Sequence, residues 1–244
     1  MITIMVGAAA GLIAGMLIRK VASRLPTTLF QQWAKEACDL LGIDDREDLR
    51  PITTFKRQVH IFQRHLVPEL ASAVLSAIVV AKFGLSAQAV AMLVLTWGLL
   101  IVVLIDSEYQ IIPDLVVLPL LWLGLIANAL GFVTTLDDAL YGAVAGYLTL
   151  WIVLHGFQAL AGREGMGHGD LKMLAMLGAW GGWQQLLLII VLSSSTAAIY
   201  GIGAKGLSRF KGQELPFGPF LGIAGFVAII WGDTLSRYYV DYSM

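Results

Sequence analysis

Long apolar runs, separated by short polar or glycine-containing breaks, dominate the chain. Most are close to the roughly 20 residues that an α-helix needs to cross a hydrocarbon layer about 30 Å thick. The period-2 alternation of barrel strands is absent, which favours helices. The pattern predicts an all-α integral membrane protein, a polytopic bundle of about eight transmembrane helices. The predicted spans are residues 2–18, 67–83, 86–105, 114–133, 138–160, 171–182, 184–204 and 217–235.

Basic residues fall unevenly on the two sides of this predicted bundle. If the N-terminus is outside, fourteen Lys and Arg residues lie in inside segments and only Lys82 and Arg237 lie outside. This is the asymmetry of the positive-inside rule, and the opposite orientation would invert it. The first apolar run has its basic residues after it, the reverse of a secretory signal, so it is expected to be retained. Both termini are therefore expected on the outer side.

One sizeable polar segment, between the first two spans, is expected on the cytoplasmic side. Its stretch TTLFQQWAKEACDLLGI has apolar residues at helical spacing, which predicts an amphipathic helix on the membrane surface, capped by Thr27 or Thr28. The predicted division is a first transmembrane helix at 1–18, a cytoplasmic segment at 19–66 and a transmembrane domain at 67–244.

Composition narrows the possible partners and ligands. Hydrophobic residues make up 58% of the 244, and charged residues only 14%, against about 25% in an average soluble domain. The net charge of -1 and the lack of a basic, aromatic-interleaved stripe argue against nucleic acid. Cys38 is the only cysteine, which excludes an internal disulfide and a tetra-cysteine zinc site. His60 and His65 are not spaced i, i+4 and lack a fourth ligand, so no metal site is expected.

Two aspartates fall at the predicted cytoplasmic edge of the bundle. Asp106 directly follows the apolar run of the third span, and Asp170 begins the sixth, behind three glycines. The predicted crossings put both residues at the same membrane depth. An ionisable group at the hydrocarbon edge is costly unless it faces the bundle interior or a water-filled cavity. Both residues are therefore functional candidates, and they can meet.

Two carboxylates that lie close together share a proton over part of the pH range. The ionised partner could take a proton from water as it attacks a peptide carbonyl, while the protonated partner donates to the carbonyl oxygen. Glycines permit positive φ and close backbone approach. Gly165, Gly167 and Gly169 would accordingly let a loop present Asp170.

Simpler interpretations exist for each of these polar residues. Asp170 alone fits a helix N-cap, and Asp106 alone fits a hydrated residue at the end of a span. Asp114 and Asp137 are predicted N-caps of the spans that follow them. His168 is expected to be an incidental loop residue, with orientation of the carboxylates or contact with substrate as the alternative.

Two other functions remain open: a transporter, which would use the two aspartates differently, and a noncatalytic scaffold, which would not need them. In a transporter, paired acids serve as a proton or cation relay, but such acids are expected near the midplane and with inverted repeats. The sequence shows neither. A noncatalytic scaffold would tolerate isosteric replacement of either aspartate. Glu69 and Lys172 are expected to be interfacial or ion-paired.

Five separated blocks, in order, resemble the type IV prepilin leader peptidases, membrane aspartic proteases of the Gly-x-Gly-Asp class. Together they cover most of the chain. The blocks are GLIAGMLIRKVASRLP (11–26), HLVPEL (65–70), IDSEYQIIPDLVVLPLLWLGL (105–125), MGHGDLKMLAMLGAWGGW (166–183) and LPFGPFLGIAG (215–225).

The resemblance implies that Asp106 and Asp170 are the two catalytic aspartates, with Asp170 closing the motif Gly167-His168-Gly169-Asp170. It implies cleavage of a short basic leader from prepilins and pseudopilins at the cytoplasmic face of the bacterial inner membrane. The cut would fall after a glycine and before an apolar helix, which stays in lipid and is held laterally among the spans. A protease with other membrane-protein substrates is the alternative within this class.

Further acids near the same edge could attract the basic leader: Glu108, Asp114 and Glu164. Glu69 and Lys172 are further candidates for substrate contact or support.

Long members of the family also carry two Cys-x-x-Cys pairs where this chain has only Cys38. Zinc binding by that route is excluded here. The family's second activity, methylation of the new N-terminus from S-adenosylmethionine, is an open question for this chain, while proteolysis is expected to need no cofactor.

Overall fold

The computed structural model describes residues 2–42, 66–162, 166–206 and 216–243. These ranges contain eight α-helices and no strand. The helices are α1 Ile2–Leu41, α2 Val67–Phe83, α3 Ala87–Tyr109, α4 Asp114–Ala129, α5 Leu136–Ala161, α6 His168–Gly181, α7 Leu186–Gly206 and α8 Gly218–Ser243, with a 3₁₀ turn at Trp183–Gln185 before α7.

The helices fall where the apolar runs predict them, and α2 matches its predicted span at both ends. Four stretches are long and apolar enough to cross a membrane: Ile2–Leu40, Ala87–Tyr109, Leu136–Ala161 and Trp183–Gly203. Two shorter apolar helices are Asp114–Ala129 and Gly218–Gly232. An all-α, multi-pass membrane protein is therefore confirmed, while eight crossings and a cytoplasmic segment remain predictions.

The prediction of a separate helix capped by Thr27 or Thr28 is wrong, while the membrane boundary at residue 18 stays a prediction. α1 continues without interruption for 40 residues, through Pro26, so the expected surface helix is its C-terminal half. The hydroxyls of Thr27 and Thr28 do not cap a helix. They donate to the carbonyls of Arg24 and Leu25, three residues back within α1.

Glycines spaced four residues apart let α1 pack closely on α2. A Cβ added at Gly7 would lie 2.8 Å from the Val80 side chain, and one at Gly15 would overlap the backbone of Glu69. Small residues in this spacing allow helix backbones to approach in membranes, where hydrocarbon provides no hydrophobic drive for association. These glycines thereby set the register of α1 against α2.

The short α6 is the most enclosed helix of the described bundle. Its residues 170–181 are buried except for Lys172, between α4, α5 and α8. Gly142 and Gly146 of α5 face it without side chains, and a Cβ on Gly146 would lie 2.7 Å from the Leu174 carbonyl oxygen. At 14 residues, α6 is about 21 Å long, shorter than the hydrocarbon layer, as expected for the sixth span.

Asn128 ties the end of α6 to the turn between α4 and α5. Its buried amide nitrogen donates to the carbonyls of Ala179 at 2.8 Å and Trp180 at 3.1 Å. Its oxygen accepts from the amides of Val133 at 3.2 Å and Thr134 at 3.0 Å. Four bonds satisfy this side chain completely, and it fixes the end of α6 opposite to Asp170.

The end of the bundle opposite to Asp170 is predicted to face outside, and it has its own side-chain contacts. Lys82 donates to the carbonyl of Ile230, and the indole of Trp183 donates to Asp138 at 2.9 Å. The N-cap of α5 is Thr135, whose hydroxyl accepts from the Asp138 amide at 3.1 Å. The prediction that Asp137 caps this helix is wrong, because the helix starts two residues earlier than predicted and places Asp137 in its first turn.

Candidate functional site

Asp106 lies in the last turn of α3, which continues beyond the predicted end of the span to Tyr109. The chain then leaves the helix through Gln110, a left-handed C-cap residue with φ 56° whose amide donates to the Asp106 carbonyl at 2.9 Å. The Asp106 side chain is only 5% exposed. It is therefore a buried carboxylate and not the hydrated span end of the simpler interpretation.

Asp170 lies in the first turn of α6, three residues after its N-cap, Gly167. The side chain is 7% exposed, and the Gly167 backbone amide donates to it. An acid at this third position reaches back to the N-cap amide, as in one half of a capping box. The expectations of a loop position and of Asp170 as the N-cap are both wrong, because the helix begins at His168.

The two glycines before Asp170 act differently from the prediction. Gly167 has φ -74°, and Gly169 is not among the residues with positive φ, so neither is required for a left-handed backbone. Of the two glycines, only Gly169 is closely approached by another segment: a Cβ there would lie 2.7 Å from Cβ of Ile112. Gly169 thus lets the connector between α3 and α4 pack on the start of α6.

The structure brings Asp106 and Asp170 together at one end of the bundle. The two carboxylates lie close enough for the charge of Asp106 to act on Asp170. Buried carboxylates whose charges act on each other compete for ionisation and tend to share a proton. The pair has the elements for combined acid and base chemistry.

α8 also contacts this pair through a residue that the sequence pattern did not single out. The backbone amide of Gly218, the first residue of α8, donates to Oδ2 of Asp106 at 3.0 Å. The available signal was a glycine followed by proline at the start of a span, in LPFGPFLGIAG. Sequence alone could not show that this glycine faces Asp106, since 112 residues separate the two.

Asp114 and Lys172 form an ion pair beside the aspartates. The ammonium nitrogen of Lys172 lies 2.8 and 2.7 Å from the two carboxylate oxygens of Asp114. The prediction that Asp114 is an N-cap is wrong: Pro113 occupies that position, and Asp114 is the first residue of α4. Its exposed side chain pairs with Lys172 instead of capping the helix.

Glu69 is buried and also ion-paired. Its Oε1 lies 3.1 Å from Nε of Arg19, but the contact lacks the alignment of a hydrogen bond, and neither oxygen accepts one from the described residues. Glu108 is half-buried and acts electrostatically on Tyr109. His168 is exposed at the start of α6.

Several residues named from the sequence lie outside the described ranges: Glu164, Gly165, His60 and His65. Among the residues that are described, no group of three His, Cys, Asp or Glu side chains could hold a metal ion.

The fold and this site define a polytopic helical membrane protein with a pair of buried carboxylates at one end of its bundle. Residues 93–202 match the model of the type IV leader peptidase family, and this range includes both aspartates. Together with the relatives described next, the match shows that the chain belongs to the type IV leader peptidase family.

Three relatives carry the name prepilin leader peptidase/N-methyltransferase. The protein of Pseudomonas aeruginosa is 43% identical over 96% of this chain and 92% of its own length. That of Stutzerimonas stutzeri is 52% identical over 75% of this chain and 64% of its own. That of Legionella pneumophila is 32% identical over 96% and 93%. No solved structure matches the chain.

Proposed function

We propose that this protein is a prepilin peptidase, an aspartic endopeptidase of the bacterial inner membrane that removes the basic leader from type IV prepilins or pseudopilins. The relatives' names supply the substrate class. The observation that carries the catalytic type is the pair Asp106 and Asp170, buried at the same end of the bundle and within electrostatic reach of each other.

In the proposed reaction the pair activates one water molecule. The ionised carboxylate takes a proton from water as its oxygen attacks the peptide carbonyl carbon, and the protonated carboxyl donates to the carbonyl oxygen. Transfer of a proton to the amide nitrogen then accompanies cleavage of the C–N bond. The products are the leader's new carboxyl group and the mature protein's N-terminal amine.

The charge distribution supports a cytoplasmic location for this reaction. In the predicted topology, fourteen Lys and Arg residues fall on the same side of the membrane as both aspartates. The positive-inside rule assigns that side to the cytoplasm. In this orientation both termini are periplasmic, and residues 19–66 are cytoplasmic. A substrate helix could stay in lipid among the spans while its basic leader reaches the aspartates from the cytoplasm.

Glu108 and Asp114 are candidate acids for leader binding. Glu108 is half-buried on the helix that carries Asp106, and Asp114 is paired with Lys172 at the start of α4. Glu69 is paired with Arg19. These two pairs support the packing of helices around the site.

Charge-neutral isosteres test the catalytic pair. In a gel-shift assay of prepilin cleavage, Asp106→Asn and Asp170→Asn should each lower the rate at least about 100-fold, because each removes one acid–base group. The matched control is Asp137→Asn, at the far end of the bundle, which should keep the wild-type rate. Near-normal cleavage by either site variant would refute the assignment. Cleavage of other membrane proteins in place of prepilin would favour the broader protease alternative.

Methylation of the new N-terminus is proposed as a second activity, because the relatives' names include it. S-adenosylmethionine would be the methyl donor. Mass spectrometry of the mature N-terminus, after incubation with enzyme and S-adenosylmethionine, would report the cut position and any added methyl group. An unmethylated product would show that this chain is a peptidase alone.

A further inference from the structure

The start of α8 offers a single backbone donor to the site, and Asp106 accepts it. The first N–H groups of a helix have no acceptor within the helix. Here the amides of Phe220 and Leu221 donate to the Phe217 carbonyl at 3.1 Å, and the proline between them and Gly218 has no N–H. The Gly218 amide is left, and it donates to Oδ2 of Asp106 at 3.0 Å.

No side chain fits at position 218 while Asp106 keeps its place. A Cβ on Gly218 would lie 2.6 Å from Oδ2 and 2.9 Å from Cγ of Asp106. Both distances are far inside van der Waals contact, and the Asp106 side chain is buried. An added methyl group would therefore displace the carboxylate or the start of α8.

The next turn of α8 connects this contact to the second aspartate. A Cβ on Gly222 would lie 2.6 Å from the Val103 side chain on α3 and 3.2 Å from that of Met173 on α6. α8 is thus seated against both helices that carry the aspartates. A shift at its first residue would change the placement of Asp106 relative to Asp170.

We propose that Gly218 is the positioning residue for Asp106. Its amide orients the carboxylate, and its missing side chain leaves the space in which the carboxylate faces Asp170. The inference rests on the proposed peptidase function and adds to it a third helix, so that α3, α6 and α8 together form the reactive geometry.

The test is steady-state cleavage of prepilin by the purified full-length protein and its Gly218→Ala variant in detergent. A displacement near 1 Å can cost about 100-fold in rate, so kcat should fall on the order of 100-fold while KM changes little. Gly225→Ala is the matched control in the same helix, since its Cβ would overlap the Leu177 side chain, away from the aspartates. It should lower the unfolding midpoint and retain kcat per folded molecule.

Failure of this inference can be distinguished from failure of the proposed function. A wild-type protein that does not cut, or an active Asp106→Asn variant, would refute the function. A cutting wild type, an inactive Asp106→Asn variant and a Gly218→Ala variant with near-normal kcat would refute only the positioning role. An equal loss of kcat in Gly225→Ala would also refute it.

A double variant covers the case in which Gly218→Ala does not fold. Removing the carboxylate by Asp106→Ala leaves the added methyl group without its two closest atoms. The stability cost of Gly218→Ala should then disappear in the Asp106→Ala background. A cost of the same size in both backgrounds would show that the two residues are not coupled and would overturn the proposal.

Discussion

Replacing Asn128 should destabilise the fold strongly without removing any group from the site. Its side chain makes four hydrogen bonds of 2.8 to 3.2 Å, two to carbonyls at the end of α6 and two from amides of the α4–α5 turn. Such bonds contribute about 0.6 kcal/mol each in membrane helices and about 1 kcal/mol each in soluble proteins. Asn128→Ala should therefore lower the free energy of unfolding by about 2 to 4 kcal/mol.

The isosteric variant Asn128→Asp separates hydrogen bonding from packing. One oxygen can still accept from the amides of Val133 and Thr134, but the other replaces the NH₂ group that faces two carbonyl oxygens. When ionised it would repel them, so Asn128→Asp should be at least as destabilising as Asn128→Ala despite its equal volume. A cavity effect alone would make the isosteric variant the milder one.

The assay is unfolding in mixed micelles, followed by circular dichroism as the SDS mole fraction rises. Thr196→Ala is the control, because its hydroxyl donates only within α7, to the carbonyls of Leu192 and Ser193. Below the midpoint, prepilin cleavage by Asn128→Ala should stay near the wild-type rate, since Asp170 is about 15 Å away along α6. An unchanged midpoint would refute the view that this side chain anchors α6.

Two further predictions concern the helices around the aspartates. Gly178→Ala should lower the SDS midpoint, because the added Cβ would overlap the Gly142 carbonyl, whereas Gly156→Ala, with open space around it, should not; equal midpoints would contradict close α5–α6 packing. Asp114→Asn should cost no more than about 1 kcal/mol, because its pair with Lys172 is solvent-accessible, and a cleavage loss approaching that of the aspartate variants would show a direct role in the reaction.

Local sequence patterns identified the two aspartates of the site but not the glycine that contacts one of them. Asp106 and Asp170 stand out from the sequence because charged residues beside long apolar runs are rare and costly. The predicted count of crossings puts them at one membrane depth. Gly218 did not stand out, because its partner is 112 residues away and the contact uses a backbone amide that any residue but proline has.

Helix ends were harder to predict than helix positions. Asp114 and Asp137 are acids at the start of helices, as expected, but Pro113 and Thr135 are the N-caps. The observed N-caps lie one and two residues before the predicted ones, and Asp114 pairs with Lys172 where a cap was expected. The continuation of α1 past Pro26 was missed because a proline and nearby charges usually mark the end of a helix.

The sequence by itself determined the class of protein and the location of its helices, because each membrane-crossing segment must satisfy its own backbone hydrogen bonds and present apolar side chains to lipid. Both requirements are local and visible in the order of residues. Only the tertiary structure decided which faces of the helices meet: glycines against glycines, Asn128 on the end of α6, and the first amide of α8 on Asp106. Those contacts depend on the rotation and register of packed helices, which the hydrophobic pattern leaves undefined.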